Sequence, residues 1–137
     1  MTIRIDVAYQ GDWQCSAVHG PSQSRIATDA PVDYPGAKAR SFSPTDLVGA
    51  ALGSCMVTLV AMAAEKRGIA LPGLRAEVDK EMSTEPPRRI ARLGVRLILP
   101  KSLDAPARAL LEQTARSCPV GRSLHPDTRV ELKLDYE

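Results

Sequence analysis

The sequence predicts an α+β fold, and three observations carry that prediction. Apolar and polar residues alternate at period two near both ends of the chain, an uncharged run from Leu47 to Ala64 stands between the alternating segments, and a second helical pattern follows Asp104. Half-apolar strands need a hydrophobic layer to pack on, and the uncharged run supplies one. At 137 residues the chain has the size of a single domain, 1–137, and can bury roughly two thirds of its unfolded surface.

The elements follow in order. Ile3, Ile5, Val7 and Tyr9 alternate with Thr2, Arg4, Asp6 and Ala8 as in a half-buried strand. Gly11-Asp12 reads as a hairpin turn, with Trp13, Cys15 and Ala17 on one face of the return strand and a third short strand over Arg25 to Thr28. A loop rich in Pro, Gly and Asp spans Asp29 to Ser41. Ser43-Pro44-Thr45-Asp46 then opens a helix with three agreeing signals: a serine at the cap, proline at the first helical position and an acid three residues after the serine. That helix runs to Lys66 or Arg67, where Gly68 ends it. Eighteen uncharged residues make about 27 Å of helix, close to a membrane span. The run is rich in alanine and contains Gly49, Gly53, Ser54, Cys55 and Thr58, which fits a central helix buried on most sides better than a lipid-facing one.

Beyond Pro72-Gly73 the pattern returns to strands: Leu74, Ala76 and Val78 in one, Leu93, Val95, Leu97 and Leu99 in the next, joined by the Glu85-Pro86-Pro87-Arg88 loop. Asp104 caps a helix with Ala107, Leu110, Leu111, Thr114 and Ala115 on one face. Pro119 breaks it and opens a short new one, and Val130, Leu132, Leu134 and Tyr136 form a last strand.

Composition narrows the function. Eighteen basic residues against sixteen acidic ones, mixed along the chain and with only five aromatics, give neither a basic stripe nor a base-stacking platform, so nucleic acid is not the expected partner. The first residues alternate rather than form a basic-then-apolar leader, and three cysteines outside any C-x-x-C pair make no disulfide scaffold. A cytoplasmic protein with resting thiols is expected. Cys55 shares a helix face with Val48, Leu52, Leu59 and Met62, an apolar setting in which a thiol ionises with difficulty. Cys118, just before Pro119, sits where a helix N-terminus favours thiolate, with Arg122 one turn on. Cys15 and His19 share a strand face, but two ligands do not close a zinc site, and no metal or cofactor is expected. His125 fits a turn residue, with a base near Cys118 as the other option.

The stretch from Ser43 to Cys55, the later Cys118-Pro119-Val120-Gly121-Arg122-Ser123-Leu124 and the closing Val130 to Tyr136 resemble the superfamily of osmotically inducible protein C (OsmC) and organic hydroperoxide resistance protein (Ohr). The similarity covers nearly the whole chain. It implies antiparallel strands wrapping around long central helices in an intertwined homodimer, with active sites at the subunit interface. It also implies a cysteine-based peroxidase that reduces organic hydroperoxides, with Cys55 matching the peroxidatic and Cys118 the resolving cysteine. The disulfide formed between them is returned to thiols in the family by dihydrolipoyl proteins or other small dithiols.

Two departures mark an OsmC-like branch. Thr45 stands where the peroxidases carry glutamate after the helix-opening proline, with Asp46 next, and the first hairpin turn lacks the activating arginine of the Ohr type. Arg25, Arg40 and Arg122 are the candidate substitutes. The competing reading is a non-catalytic dimer of the same fold that binds a small apolar ligand in its interface pocket.

Overall fold

The computed structural model describes residues Met1–Glu137, which divide into two compact units, Met1–Val48 and Gly49–Glu137. The first unit holds a three-stranded antiparallel sheet of β1 (Ile5–Gly11), β2 (Gln14–His19) and β3 (Arg25–Thr28). The hairpin turn lies one residue later than expected. Asp12 and Trp13 take φ of 54° and 64° and form the turn themselves, after a bulge between Tyr9 and Gly11. Trp13 therefore belongs to the turn and not to β2. Its amide donates to the Tyr9 hydroxyl at 3.2 Å and its ring meets Tyr34 edge-on, with 5.6 Å between centroids. Cys15 pairs with Tyr9 and Thr28 across the sheet.

The loop after β3 is tied down by charge. Asp29, 2% exposed, accepts from its neighbours' amides at Ala30 (2.8 Å) and Arg40 (3.1 Å) and from the Arg40 Nε at 2.9 Å. Arg40 and Lys38 also reach Asp12 at 2.8 and 2.7 Å, which fastens the loop to the hairpin tip. The apolar residues of this sheet stay open: Ile5, Val7, Tyr9 and Ile26 are each at least half exposed.

α1 (Pro44–Glu65) begins on the expected capping box. Ser43 Oγ accepts from the Asp46 amide at 3.2 Å, and Asp46 Oδ2 accepts from the Ser43 amide at 2.9 Å, satisfying two of the helix's orphan donors reciprocally. By length and composition alone α1 could cross a membrane, with mean hydropathy 2.1. Its burial is that of a core helix with one packed stripe, Gly49, Leu52, Gly53, Met56, Val60 and Ala64. Within the single chain the packed stripe is only one side of the helix, and Ala51, Ser54, Thr58, Ala61 and Met62 on the other face are exposed.

The stripe lies on the second sheet, made of β4 (Arg75–Met82), β5 (Ile90–Leu99) and β6 (Arg129–Tyr136). A Cβ placed on Gly49 would touch Leu93 and Val78 at 3.6 Å, and one on Gly53 would stand 2.7 Å from Val78 Cγ2. Only glycine lets the helix approach this closely at Gly53. The β4–β5 pairing is antiparallel, but β5 and β6 run parallel, from Arg92↔Arg129 to Leu99↔Tyr136. The all-antiparallel expectation is corrected on this pair. Residues 100–128 carry α2 (Ala105–Arg116) and α3 (Pro119–Ser123), a connection long enough to return the chain to the same end of the sheet, as parallel pairing requires.

Leu93, Val95, Leu97 and Leu99 on central strand β5 supply the core, and Ile98 on the opposite face is buried as well. Arg92 bridges Glu81 and Glu131, and Arg96 bridges Glu77, Asp135 and Glu137, so charge pairs knit the three strands on the polar side. α2 starts on Asp104, whose Oδ1 accepts from the Ala107 amide at 2.9 Å. Arg108 holds it to β6: it donates to the Leu103 and Lys101 carbonyls, and its guanidinium lies 3.9 Å from the centre of the Tyr136 ring.

Candidate functional site

The two cysteines singled out in the sequence come together within the second unit. Cys55 is half-buried in the middle of α1, beside the packed stripe. Cys118 is the N-cap of α3 and is 1% exposed. Local sequence explains its position: α2 ends at Ser117, the Cys118 amide still bonds back to the Ala115 carbonyl at 3.2 Å, and Pro119 opens the next helix where no amide hydrogen is needed. Gly121, one turn into α3, would bring a Cβ within 3.5 Å of Leu52 on α1, one turn before Cys55. Packing of α3 on α1 thus sets the two sulfurs side by side. All three cysteines are free thiols, and Cys55 lies close enough to Cys118 to act on its thiol.

Electrostatics separates the pair from the sequence expectation. Burial pushes the Cys118 thiol up, and the neighbouring Cys55 pushes it further; the Gly121 amide, donating to Sγ at 3.5 Å, works against both. Desolvation wins over the helix-cap effect, so the expectation that the α3 terminus favours a Cys118 thiolate is corrected. The protonated form of Cys118 is therefore favoured.

A cavity of about 280 Å³ opens on the Cys118 side, lined by Met56, Arg116, Cys118, Gly121, Arg122, Val130 and Leu132. Its walls are apolar and its exposed rim carries two guanidinium groups. Arg122 is thus the one candidate cation that lines this cavity. Arg40 is bound to Asp29 and Asp12 in the first unit, and Arg25 reaches Ser16 Oγ at 3.5 Å. Arg116 and Met56 were not foreseen as site residues. Their signal was position: Arg116 is two residues before Cys118, and Met56 adjoins Cys55 on the packed stripe.

The other candidates fall outside the site. Asp46 is engaged in the capping box. His125 is an exposed turn residue whose Nδ1 accepts from the Asp127 amide at 3.0 Å. His19 Nδ1 lies 2.6 Å from Ser22 Oγ.

The chain as a whole is similar to known proteins. The family described as OsmC-like protein matches residues 36–133. A Psychrobacter arcticus protein named for an osmotic stress induced and detoxification response is similar in structure, with TM-score 0.90 and 38% identity over 98% of this chain and 96% of that one. An OsmC-like protein of Mycoplasma pneumoniae shares the fold at TM-score 0.82 and 15% identity, covering 99% and 97% of the two chains. So does an organic hydroperoxide resistance protein of Elizabethkingia anophelis, at TM-score 0.79 and 14% identity, covering 100% and 97%. No curated protein matches the chain.

Proposed function

The chain belongs to the OsmC-like family, and from that membership we propose that it is a thiol peroxidase for organic hydroperoxides, with Cys55 attacking and Cys118 resolving. The observation that carries this reading is the nearness of the two thiols where α3 packs on α1, because a resolving thiol must already lie beside the sulfur it will bridge. Structural neighbours named organic hydroperoxide resistance proteins support the substrate class. The apolar residues around Cys55, with Leu52 and Met56 beside it, favour an alkyl or aryl hydroperoxide over hydrogen peroxide.

The chemistry runs in two steps. The deprotonated Cys55 sulfur attacks the distal peroxide oxygen; the O–O bond breaks, the alcohol leaves with a proton, and Cys55 becomes a sulfenic acid. Cys118 then attacks the Cys55 sulfur, the S–O bond breaks, water departs carrying the Cys118 proton, and a disulfide remains. A small dithiol or a dihydrolipoyl protein returns both thiols. A reducing compartment such as the cytoplasm suits resting thiols of this kind.

The working unit in this proposal is a homodimer. The open apolar residues of the first sheet and the exposed face of α1 call for a partner, and a second copy matches the family's intertwined form.

Thiol titration tests the reading. One equivalent of cumene hydroperoxide removes two thiols per chain within seconds, and peptide mapping finds the Cys55–Cys118 bridge with Cys15 reduced. Cys55→Ser abolishes single-turnover reduction. Cys118→Ser still consumes about one equivalent and leaves Cys55 as sulfenic or sulfinic acid. Wild-type thiols reacting no faster than free cysteine at the same pH would overturn the enzyme and leave a dimer that binds a small apolar ligand.

A further inference from the structure

The cavity beside the thiol pair touches Cys118 but not Cys55. A hydroperoxide must reach Cys55, so a cavity that presents only the other sulfur serves whatever attacks Cys118. In the proposed cycle that is the electron donor, and the inference rests on that reading. At about 280 Å³ the space lies near the lower end of small-molecule sites, roughly 300–1,000 Å³, and suits a compact thiol rather than a folded segment of another protein. Met56, Val130 and Leu132 make its apolar wall. Arg116 and Arg122 make its rim, and of these Arg116 is partly neutralised by Glu112, bonded at 2.8 Å. Arg122 has no ion pair within the chain, so its charge is available to a ligand.

We propose that this cavity is the reductant port and that Arg122, with Arg116, selects a small dithiol bearing a carboxylate. The donor's thiolate attacks Cys118 Sγ, the Cys55–Cys118 bond breaks, and its electron pair leaves on Cys55. The donor is then joined to Cys118 in a mixed disulfide. Its second thiol, deprotonated, attacks the donor sulfur of that bridge, releases Cys118, which takes up a proton, and departs as a cyclic disulfide. Two electrons pass from donor to protein and no further reactant is needed. Attack at Cys118 also frees Cys55 first, restoring the attacking sulfur one step before the cycle closes.

Dihydrolipoate and dihydrolipoamide differ in charge alone and make the test direct. Protein is oxidised with cumene hydroperoxide or, separately, with diamide, so that the bridge is available even where peroxide is a poor oxidant. Reduction by each donor is then followed at low salt. An exposed charge contact predicts that dihydrolipoate is faster by about fivefold, and that this ratio shrinks at 0.5 M salt, where screening shortens to a few ångströms. In Arg122→Gln the ratio falls toward one, with dihydrolipoamide as the reference within the same variant. Thioglycolate, a single anionic thiol, leaves its mixed disulfide on Cys118. Equal rates for the two donors, a ratio unmoved in Arg122→Gln, or an adduct on Cys55 overturns the proposal, as does failure of both oxidants to form the bridge. Loss of thiols to diamide but not to peroxide overturns the peroxidase reading instead.

Discussion

Gly53 and Gly49 lie on the same packed stripe of the same helix, yet alanine at the two positions has opposite consequences. Either substitution recovers about 1 kcal/mol of helix propensity. At Gly49 the new methyl would rest 3.6 Å from Leu93 and Val78, ordinary contact, so that gain survives and Gly49→Ala stabilises by up to about 1 kcal/mol. At Gly53 the methyl would stand 2.7 Å from Val78 Cγ2, against a carbon–carbon optimum of about 3.5–4.0 Å. Val78 is β-branched and fixed in β4, so it cannot turn away cheaply. Overpacking of that kind costs about 1–3 kcal/mol, which leaves Gly53→Ala about 1–3 kcal/mol less stable than Gly49→Ala. Urea midpoints at one fixed protein concentration read the difference, since assembly would make stability depend on concentration. In a double-mutant cycle Val78→Ala should relieve Gly53→Ala with a coupling of at least about 1 kcal/mol. Equal midpoints for the two alanine variants would refute the close approach of α1 to β4. The same displacement carries Cys55 relative to Cys118, so bridge formation after peroxide should slow in Gly53→Ala and not in Gly49→Ala.

Three further outcomes follow from the structure. Ser43→Ala removes one arm of the α1 capping box and should cost about 1 kcal/mol by urea unfolding; an unchanged midpoint would mean the box contributes nothing. The Arg40 guanidinium holds the Asp29 carboxyl down to about 2 from an ordinary 3.8. A depressed carboxylate stabilises the fold above its unfolded pKa and loses that contribution as pH falls through the folded one, so wild-type stability should drop between pH about 4 and 2. Asp29→Asn should be less stable at neutral pH but show a smaller drop across that window, while a drop equal to wild type would rule Asp29 out as a source. Light scattering at micromolar concentration should give about twice the chain mass, and charged substitutions at Val7 and Ile26 should lower it; a monomeric wild type would refute the dimer.

How far these features could be read from sequence depended on how local their cause is. The capping box at Ser43 and Asp46, the third strand at Arg25–Thr28 and the Asp104 cap were legible because each is set by residues within a few positions of one another. The hairpin turn was misplaced by one residue. Gly11 is the obvious turn former, but Asp12 and Trp13 take the positive φ values, and Trp13 is held there by Tyr9 and Tyr34, the latter far along the chain. The direction of β6 was equally hidden, since period-two alternation is the same in parallel and antiparallel strands.

The site shows the same division more sharply. That Cys55 and Cys118 meet, 118 − 55 = 63 positions apart, is a matter of tertiary packing, and only resemblance to a family could anticipate it. The local cue at Cys118, a helix N-terminus with an arginine one turn on, pointed to a thiolate. Burial and the Cys55 contact reverse it, and neither is visible in the neighbouring residues. The reversal favours the proposed division of labour. A protonated Cys118 does not compete for the peroxide, since the thiolate is the nucleophile, and it stays beside Cys55 for the sulfenic acid that forms there. With burial acting on the Cys118 thiol, two neighbouring thiols can take different roles without any difference in residue type.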